Sequence, residues 1–99
     1  MILIAGTIVL DPAKVERAKE LTAVLMAETR KEPGCVSYEF FAALDDPGRF
    51  HVFEEWESPE ANAAHSASAH LAAFYEAIPE MGVTSAVLHR YEAVSKNPL

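Results

Sequence analysis

Histidine, cysteine and tryptophan side chains give this sequence most of its capacity for chemistry. It contains one cysteine, Cys35, one tryptophan, Trp56, and four histidines, at positions 51, 65, 70 and 89. On one continuous helix, residues 65 and 70 would point about 140° apart. That is not the i, i+4 spacing with which helical histidines hold zinc. Glycine-rich phosphate loops and nucleophile elbows are absent as well. We therefore expect no metal and no cofactor.

His65 is the first candidate for proton transfer. It lies in a run of alanine, asparagine and serine, and these small side chains leave room beside an imidazole. Histidine is the usual proton acceptor near neutral pH. A surface or capping histidine explains the same pattern, and residue chemistry alone favours that simpler interpretation. Cys35 is expected to be a small core residue, because nothing near it in sequence would lower the pKa of a thiol.

Val52, Glu54 and Trp56 would share one face of a strand, because side chains alternate along extended backbone. A carboxylate between apolar neighbours needs a partner, and Arg90 or a helix N-terminus could supply it. A catalytic acid is the alternative for Glu54. Trp56 fits a plain core position or a flat wall against which a planar ligand stacks.

The strands and helices that carry these residues are predicted from the spacing of hydrophobic residues and from turn-forming residues. Strands are predicted over residues 2–10, 35–43, 50–57 and 83–93, with a turn at 45–48. Asp11-Pro12 and Ser58-Pro59 combine an N-cap with a proline suited to a first helical turn. The first helix would run to Arg30. The second would be interrupted at residues 66–68 and resume through Ala77. The order β-α-β-β-α-β predicts a ferredoxin-like α+β fold.

The predicted strands are apolar on both faces. Leu3, Ala5 and Val9 oppose the isoleucines of the first strand, and Phe53 opposes Trp56. Helices can cover only one face of such a sheet, and a bare apolar face is an association surface. A second copy packed sheet to sheet is the simplest cover, so we expect a homodimer.

Composition restricts the class of protein. The chain has 99 residues, of which 51% are hydrophobic, and a formal net charge of −7. This predicts a single soluble domain over residues 1–95 with a short tail, 96–99. The acidic balance and scattered basic residues argue against nucleic-acid and membrane partners. A lone cysteine and no signal-peptide pattern favour the cytoplasm.

Several short motifs resemble the antibiotic biosynthesis monooxygenase family, and particularly its quinol monooxygenase branch. The likeness runs from the first strand to the last. Its most specific part is a Glu-x-Trp-Glu-Ser block followed by Ala-His and a second histidine five residues later. The motifs are Glu32-Pro33-Gly34-Cys35, Tyr38-Glu39, Phe53-Glu54-Glu55-Trp56-Glu57-Ser58, Ala64-His65 and Ala69-His70-Leu71.

The resemblance implies a dimeric α+β barrel that oxygenates electron-rich phenols or quinols with O₂ and without metal, flavin or haem. Trp56 would line the cavity, and His65 would be the base or orienting group. In the polyketide-oxidising branch an asparagine stands where this chain has Val52, and Asn62 occupies the place of a tyrosine. In the haem-degrading branch the haem-binding histidine corresponds to Tyr75. Val52, Glu54, Asn62 and Tyr75 are thus the expected substrate-binding residues.

Fold alone does not fix function, so two other interpretations stay open. One is a non-enzymatic dimeric module that binds a small aromatic ligand. The other is an isomerase of a small signalling metabolite, with His65 as the proton shuttle.

Overall fold

The computed structural model describes residues 1–99, and its elements follow the predicted order. The fold is the ferredoxin-like α+β arrangement that the sequence pattern predicts. The helices and strands are β1 (Ile2–Leu10), α1 (Val15–Thr29), β2 (Cys35–Ala43), β3 (Asp46–Trp56), α2 (Pro59–Ser66), α3 (Ala69–Ala77) and β4 (Val83–Glu92), with 3₁₀ turns at Pro12–Lys14 and Ile78–Met81.

The sheet has four strands in the order β2-β3-β1-β4, and every neighbouring pair is antiparallel. The β1–β3 register places Ile4 opposite Glu54 and Ile2 opposite Trp56. On its other side, Ile4 is opposite Arg90 of β4. Side chains from all four strands therefore share the face on which the helices pack.

Local signals set most element boundaries. The side chains of Asp11, Ser58 and Ser68 each accept a backbone N–H at the start of a helical segment. One boundary differs from the prediction, because β3 begins at Asp46 rather than at Phe50. Asp46 pairs with Ala43, and the strand pairing between β2 and β3 is irregular there, so residues 46–48 of the expected turn belong to β3. The chain reverses direction at Leu44 and Asp45.

The core lies between the helices and one face of the sheet. Trp56 and Ala18 are fully buried there, and Leu25 is nearly so. The remaining members of this cluster are Ile2, Ile8, Leu10, Val15, Tyr38, Phe50, Leu71, Phe74 and Met81. Because the core lies on one side of the sheet, only residues on that face of the strands can reach a site under α2 and α3.

Strand β4 is poorly covered. On its helix-facing side Leu88 is 42% exposed, and on the outer side Val87 and Tyr91 are 56% and 51% exposed. The helices pack over β2, β3 and β1 and leave an opening beside β4. No helix in the structure has the length and apolar character needed to span a membrane.

Candidate functional site

A cavity of about 490 Å³ opens between the helix-facing side of the sheet and helices α2 and α3. Its walls are mainly apolar, with a few polar groups. The lining residues are Ile4, Ile8, Tyr38, Phe40, Val52, Glu54, Asn62, His65, Ser66, Leu71, Phe74, Tyr75, Ile78, Met81, Val83, Ala86, Leu88, His89 and Arg90. An apolar cleft with a small number of polar groups is the usual form of a small-molecule site.

His65 is the most closely held polar group of this cavity. It is 3% exposed, and its Nδ1 lies 2.7 Å from Oε2 of Glu32. Its ring stacks on Trp56 with centroids 4.7 Å apart, and Tyr38 meets it edge-on at 5.2 Å. Because an ionised carboxylate only accepts hydrogen bonds, Nδ1 donates to Glu32, and in the neutral form of the ring Nε2 then keeps a free lone pair. Nε2 has no hydrogen-bond partner in the chain, and His65 lines the cavity.

Glu32 reaches His65 because the loop after α1 is pressed against α2. Gly34 adopts φ +84°, a backbone conformation that residues with a side chain rarely adopt. A Cβ atom added there would lie 2.6 Å from Cβ of Ala61. Glycine is therefore required both by the turn and by the close approach. The backbone N–H of Glu57 donates to the carbonyl of Gly34 and ties this loop to the end of β3.

His70 also converges on Glu32, although residues 65 and 70 would point apart on one continuous helix. Its Nε2 lies 2.9 Å from the same Oε2 atom. The helix is interrupted where the sequence predicted, since α2 ends at Ser66 and α3 begins at Ala69. The consequence of this break for the two histidines was not anticipated. The break turns the second histidine back towards the first.

Glu54 is buried at the cavity wall and accepts a hydrogen bond from Nε1 of Trp56 at 2.9 Å. Burial raises the pKa of this carboxyl, and the Trp56 hydrogen bond and the nearby His65 only partly oppose that effect. The expected partner Arg90 pairs instead with Glu92 at 3.6 Å. Ile4 stands between Glu54 and Arg90 in the sheet, which separates the two side chains.

Asn62 contributes a second unusual polar group. It is 8% exposed and lines the cavity, and its Nδ2 has no hydrogen-bond partner in the chain. A buried N–H group without a partner is costly unless something accepts its hydrogen bond. Because Nδ2 itself has almost no accessible surface, it can donate to a bound molecule only if the Asn62 side chain turns towards the cavity.

The structure brings His65, Val52, Glu54, Asn62 and Tyr75 to one cavity. Val52 is buried at its base and Tyr75 is exposed at its edge. Trp56 has a different position. It is fully buried and does not line the cavity, and its indole supports His65 from behind.

Sequence reasoning missed Glu32, His70 and Tyr38 as members of the site. All three stand in the motifs that carry the family resemblance, and this was the available signal. Cys35 lies close by and is partly buried. Burial raises the pKa of its thiol, and the charges of Glu32 and Glu54 add to the shift. It therefore stays protonated and is a poor nucleophile.

Fold and site together define a ferredoxin-like α+β domain with an apolar cavity and a buried, carboxylate-bound histidine. The sequence profile of the antibiotic biosynthesis monooxygenase family matches residues 1–77. The chain belongs to this family, as the resemblance predicted.

Several known proteins are similar to this chain in sequence or in structure. A candidate antibiotic biosynthesis monooxygenase from Deinococcus radiodurans superposes with a TM-score of 0.92, at 25% identity, over 100% of this chain and 98% of that one. A protein of unknown function from Bacteroides thetaiotaomicron, suggested to be an oxidoreductase, gives a TM-score of 0.84 at 28% identity over 93% and 96% of the two chains. An uncharacterized protein of Synechocystis sp. is 29% identical over 99% of this chain and 67% of its own length.

Proposed function

We propose that this protein is a monooxygenase that oxidises a quinol or a related electron-rich aromatic compound with O₂ and without a resident cofactor. The observation that carries the proposal is the setting of His65, a base held by Glu32 at 2.7 Å on the wall of an apolar cavity. The cavity volume of about 490 Å³ falls within the roughly 300–1,000 Å³ of small-molecule sites. Family membership and the oxidoreductase character suggested for one structural neighbour support the reaction class.

Proton removal is the step that the geometry serves best. Nε2 of His65 would accept a phenolic proton, and the carboxylate of Glu32 would stabilise the resulting imidazolium through Nδ1. Asn62, whose side-chain N–H has no partner in the chain, would donate to the phenolate oxygen after its side chain turns towards the cavity. Stacking on Trp56 keeps the imidazole plane fixed, so little reorganisation is needed when the charge appears.

The redox balance needs no external reductant. The quinolate gives one electron to O₂, and the radical pair combines to form a carbon–oxygen bond. The resulting hydroperoxide breaks its O–O bond and loses water. One oxygen atom ends in a hydroxyquinone and the other in water, so the substrate supplies all four electrons that O₂ takes up. The chain has only to bind the ring, take the proton and exclude solvent, which the apolar lining suits.

Oxygen uptake with a panel of reduced naphthoquinols tests this function. We expect uptake above the spontaneous rate, and a loss of about 10²–10⁴-fold in His65→Ala, the range for a missing general base. Glu32→Gln should lose less, because it keeps the base and removes only the charge behind it. Glu28→Gln is the matched control for Glu32→Gln, since this exposed carboxylate of α1 is not part of the cavity.

The alternatives give different results in the same assay. If the wild type adds nothing to the spontaneous rate with any quinol, the monooxygenase proposal fails. The isomerase interpretation has one observation in its favour, because a carboxyl with a raised pKa, Glu54, shares the cavity with His65 and could return a proton. Such an enzyme would exchange substrate protons with D₂O and consume no oxygen. A binding module would do neither.

We also propose that the working unit is a homodimer in which the outer sheet face of each copy is covered by the other. The exposed apolar side chains of β4 and the partly exposed Leu3 and Phe53 support this. Location in the cytoplasm, and one domain over residues 1–95, stay predictions.

A further inference from the structure

Three metal-ligating side chains meet where the loop after α1 touches the break between α2 and α3. Glu32, His65 and His70 each present one ligand atom, and these three atoms lie within 4.8 Å of one another. Their side chains are 15%, 4% and 22% exposed, so His70 and Glu32 can be reached from solvent. The proposed chemistry uses His65 with Glu32 and leaves His70 without a role.

Two imidazole nitrogens and one carboxylate oxygen make a ligand set that suits a divalent transition metal such as Zn²⁺. Zinc–ligand bonds of about 2.0–2.1 Å place tetrahedral ligand atoms roughly 3.3 Å apart. Oε2 of Glu32 is now 2.7 Å and 2.9 Å from the two nitrogens. A metal would therefore need this oxygen to withdraw by about half an ångström, and the two nitrogens, which lie within 4.8 Å of each other, to reach the same spacing. Such a shift is accessible, because Glu32 stands in a loop and His70 in the first turn of α3.

We propose that Glu32, His65 and His70 form an inhibitory site for a divalent transition metal of the Zn²⁺ class. A metal on Nδ1 of His65 takes the lone pair of that nitrogen, so the neutral ring must carry its proton on Nε2. Nε2, the proposed base, then donates a hydrogen bond and cannot accept a proton. Metal binding is thus incompatible with general-base action by His65. The inhibitory half of this inference rests on the proposed function, whereas the binding half does not.

Zn²⁺ titration of tag-free, chelator-treated protein tests the binding half. Isothermal calorimetry should show one ion bound per chain. Glu32→Gln and His70→Ala should each weaken binding by about tenfold or more, since each removes a ligand. His51→Ala and His89→Ala are matched controls, because both histidines are exposed and lie outside the cluster. No binding by the wild type, or binding that survives the two ligand variants, would overturn the site.

Trp56 provides a second readout that does not need enzymatic activity. It is the single tryptophan of the chain and stacks on His65 at 4.7 Å. Its fluorescence should change on addition of Zn²⁺ in the wild type and stay constant in His70→Ala. A saturable change of the same size in His70→Ala would place the ion elsewhere and contradict the proposal.

The inhibitory half is tested with the quinol that gives the fastest oxygen uptake. Zn²⁺ should reduce turnover of the wild type in parallel with occupancy of the site, while turnover of His70→Ala should be insensitive to the same concentrations. Full turnover at saturating Zn²⁺ would disprove inhibition even where binding is observed. If no quinol is oxidised, the proposed function fails by itself, and calorimetry and fluorescence still decide whether the site exists.

Discussion

At the scale of single residues, Trp56 connects two of the titratable groups of the cavity wall, Glu54 and His65. Its indole N–H donates to Glu54, and its ring stacks on His65. The side chain is fully buried, so it acts on a ligand only through these neighbours. Of the two interpretations that the sequence left open, the structure fits the core position and not the wall of the cavity.

Glu54 yields a prediction about stability and pH. Burial raises its pKa above the ordinary value of 4.5, so the folded chain binds this proton more tightly than the unfolded chain does. The contribution of Glu54 to stability is therefore present at low pH and is lost as pH rises through the raised pKa. Glu54→Gln can still accept the hydrogen bond from Trp56 but does not ionise, so it removes this loss of stability at high pH. Its stability relative to the wild type should increase between about pH 4 and about pH 8 in urea denaturation.

Glu76→Gln serves as the control, because Glu76 is exposed on α3, and its relative stability should be independent of pH. The opposite slope for Glu54→Gln would mean that a partner stabilises the charged carboxylate of Glu54.

At the scale of elements, the break between α2 and α3 is what assembles the site. Ser68 starts α3 by accepting from the N–H of Leu71, and its hydroxyl donates to the carbonyl of His65 at 2.7 Å. Ser68 therefore caps the start of α3 and also bonds to the last turn of α2. This junction places His70 in contact with Glu32.

Ser68→Ala should lower the free energy of unfolding by about 0.5–2 kcal/mol, the usual cost of a lost N-cap. Ser66→Ala is the matched control. The Ser66 hydroxyl only adds a bond to the carbonyl of Asn62, so its loss should be nearly neutral. Urea denaturation of the two variants measures the difference. Equal stabilities would show that Ser68 is not an effective cap.

At the scale of the whole molecule, the outer sheet face is the basis of the proposed homodimer. Phe53 lies on the central strand β3 and faces away from the helices, as do Leu3 of β1 and Tyr91 of β4. Phe41, on the same face of β2, is 47% exposed. These apolar side chains share the outer face with polar ones such as Glu55, His51 and His89. An exposed apolar patch of this kind supports an association surface.

Sedimentation at micromolar concentration should therefore give twice the chain mass of 10.8 kDa. Phe53→Lys should dissociate the dimer or unfold the protein, because it buries an unpaired charge at the interface. Val24→Lys is the control, since Val24 is 65% exposed on α1, and this variant should sediment as the wild type does. A wild-type chain that sediments at 10.8 kDa would exclude the dimer.

The sequence by itself determined the element order, the helix starts and the faces of the strands. These features depend on neighbours within a few residues: the cap and proline at positions 58 and 59, or the alternation that puts Val52, Glu54 and Trp56 on one face. The shifted start of β3 shows the limit, because a ladder irregularity depends on the partner strand as well.

Only the tertiary structure decided which residues contact the predicted faces of the strands and helices. Glu32 is 33 residues from His65 and 38 from His70, and no local pattern predicts that one carboxylate oxygen contacts both. Periodicity gives the direction of a side chain but not its partner, which depends on how separate elements pack. The same reason explains why Arg90, on the correct face for Glu54, does not pair with it, and why Trp56 lies behind the cavity wall.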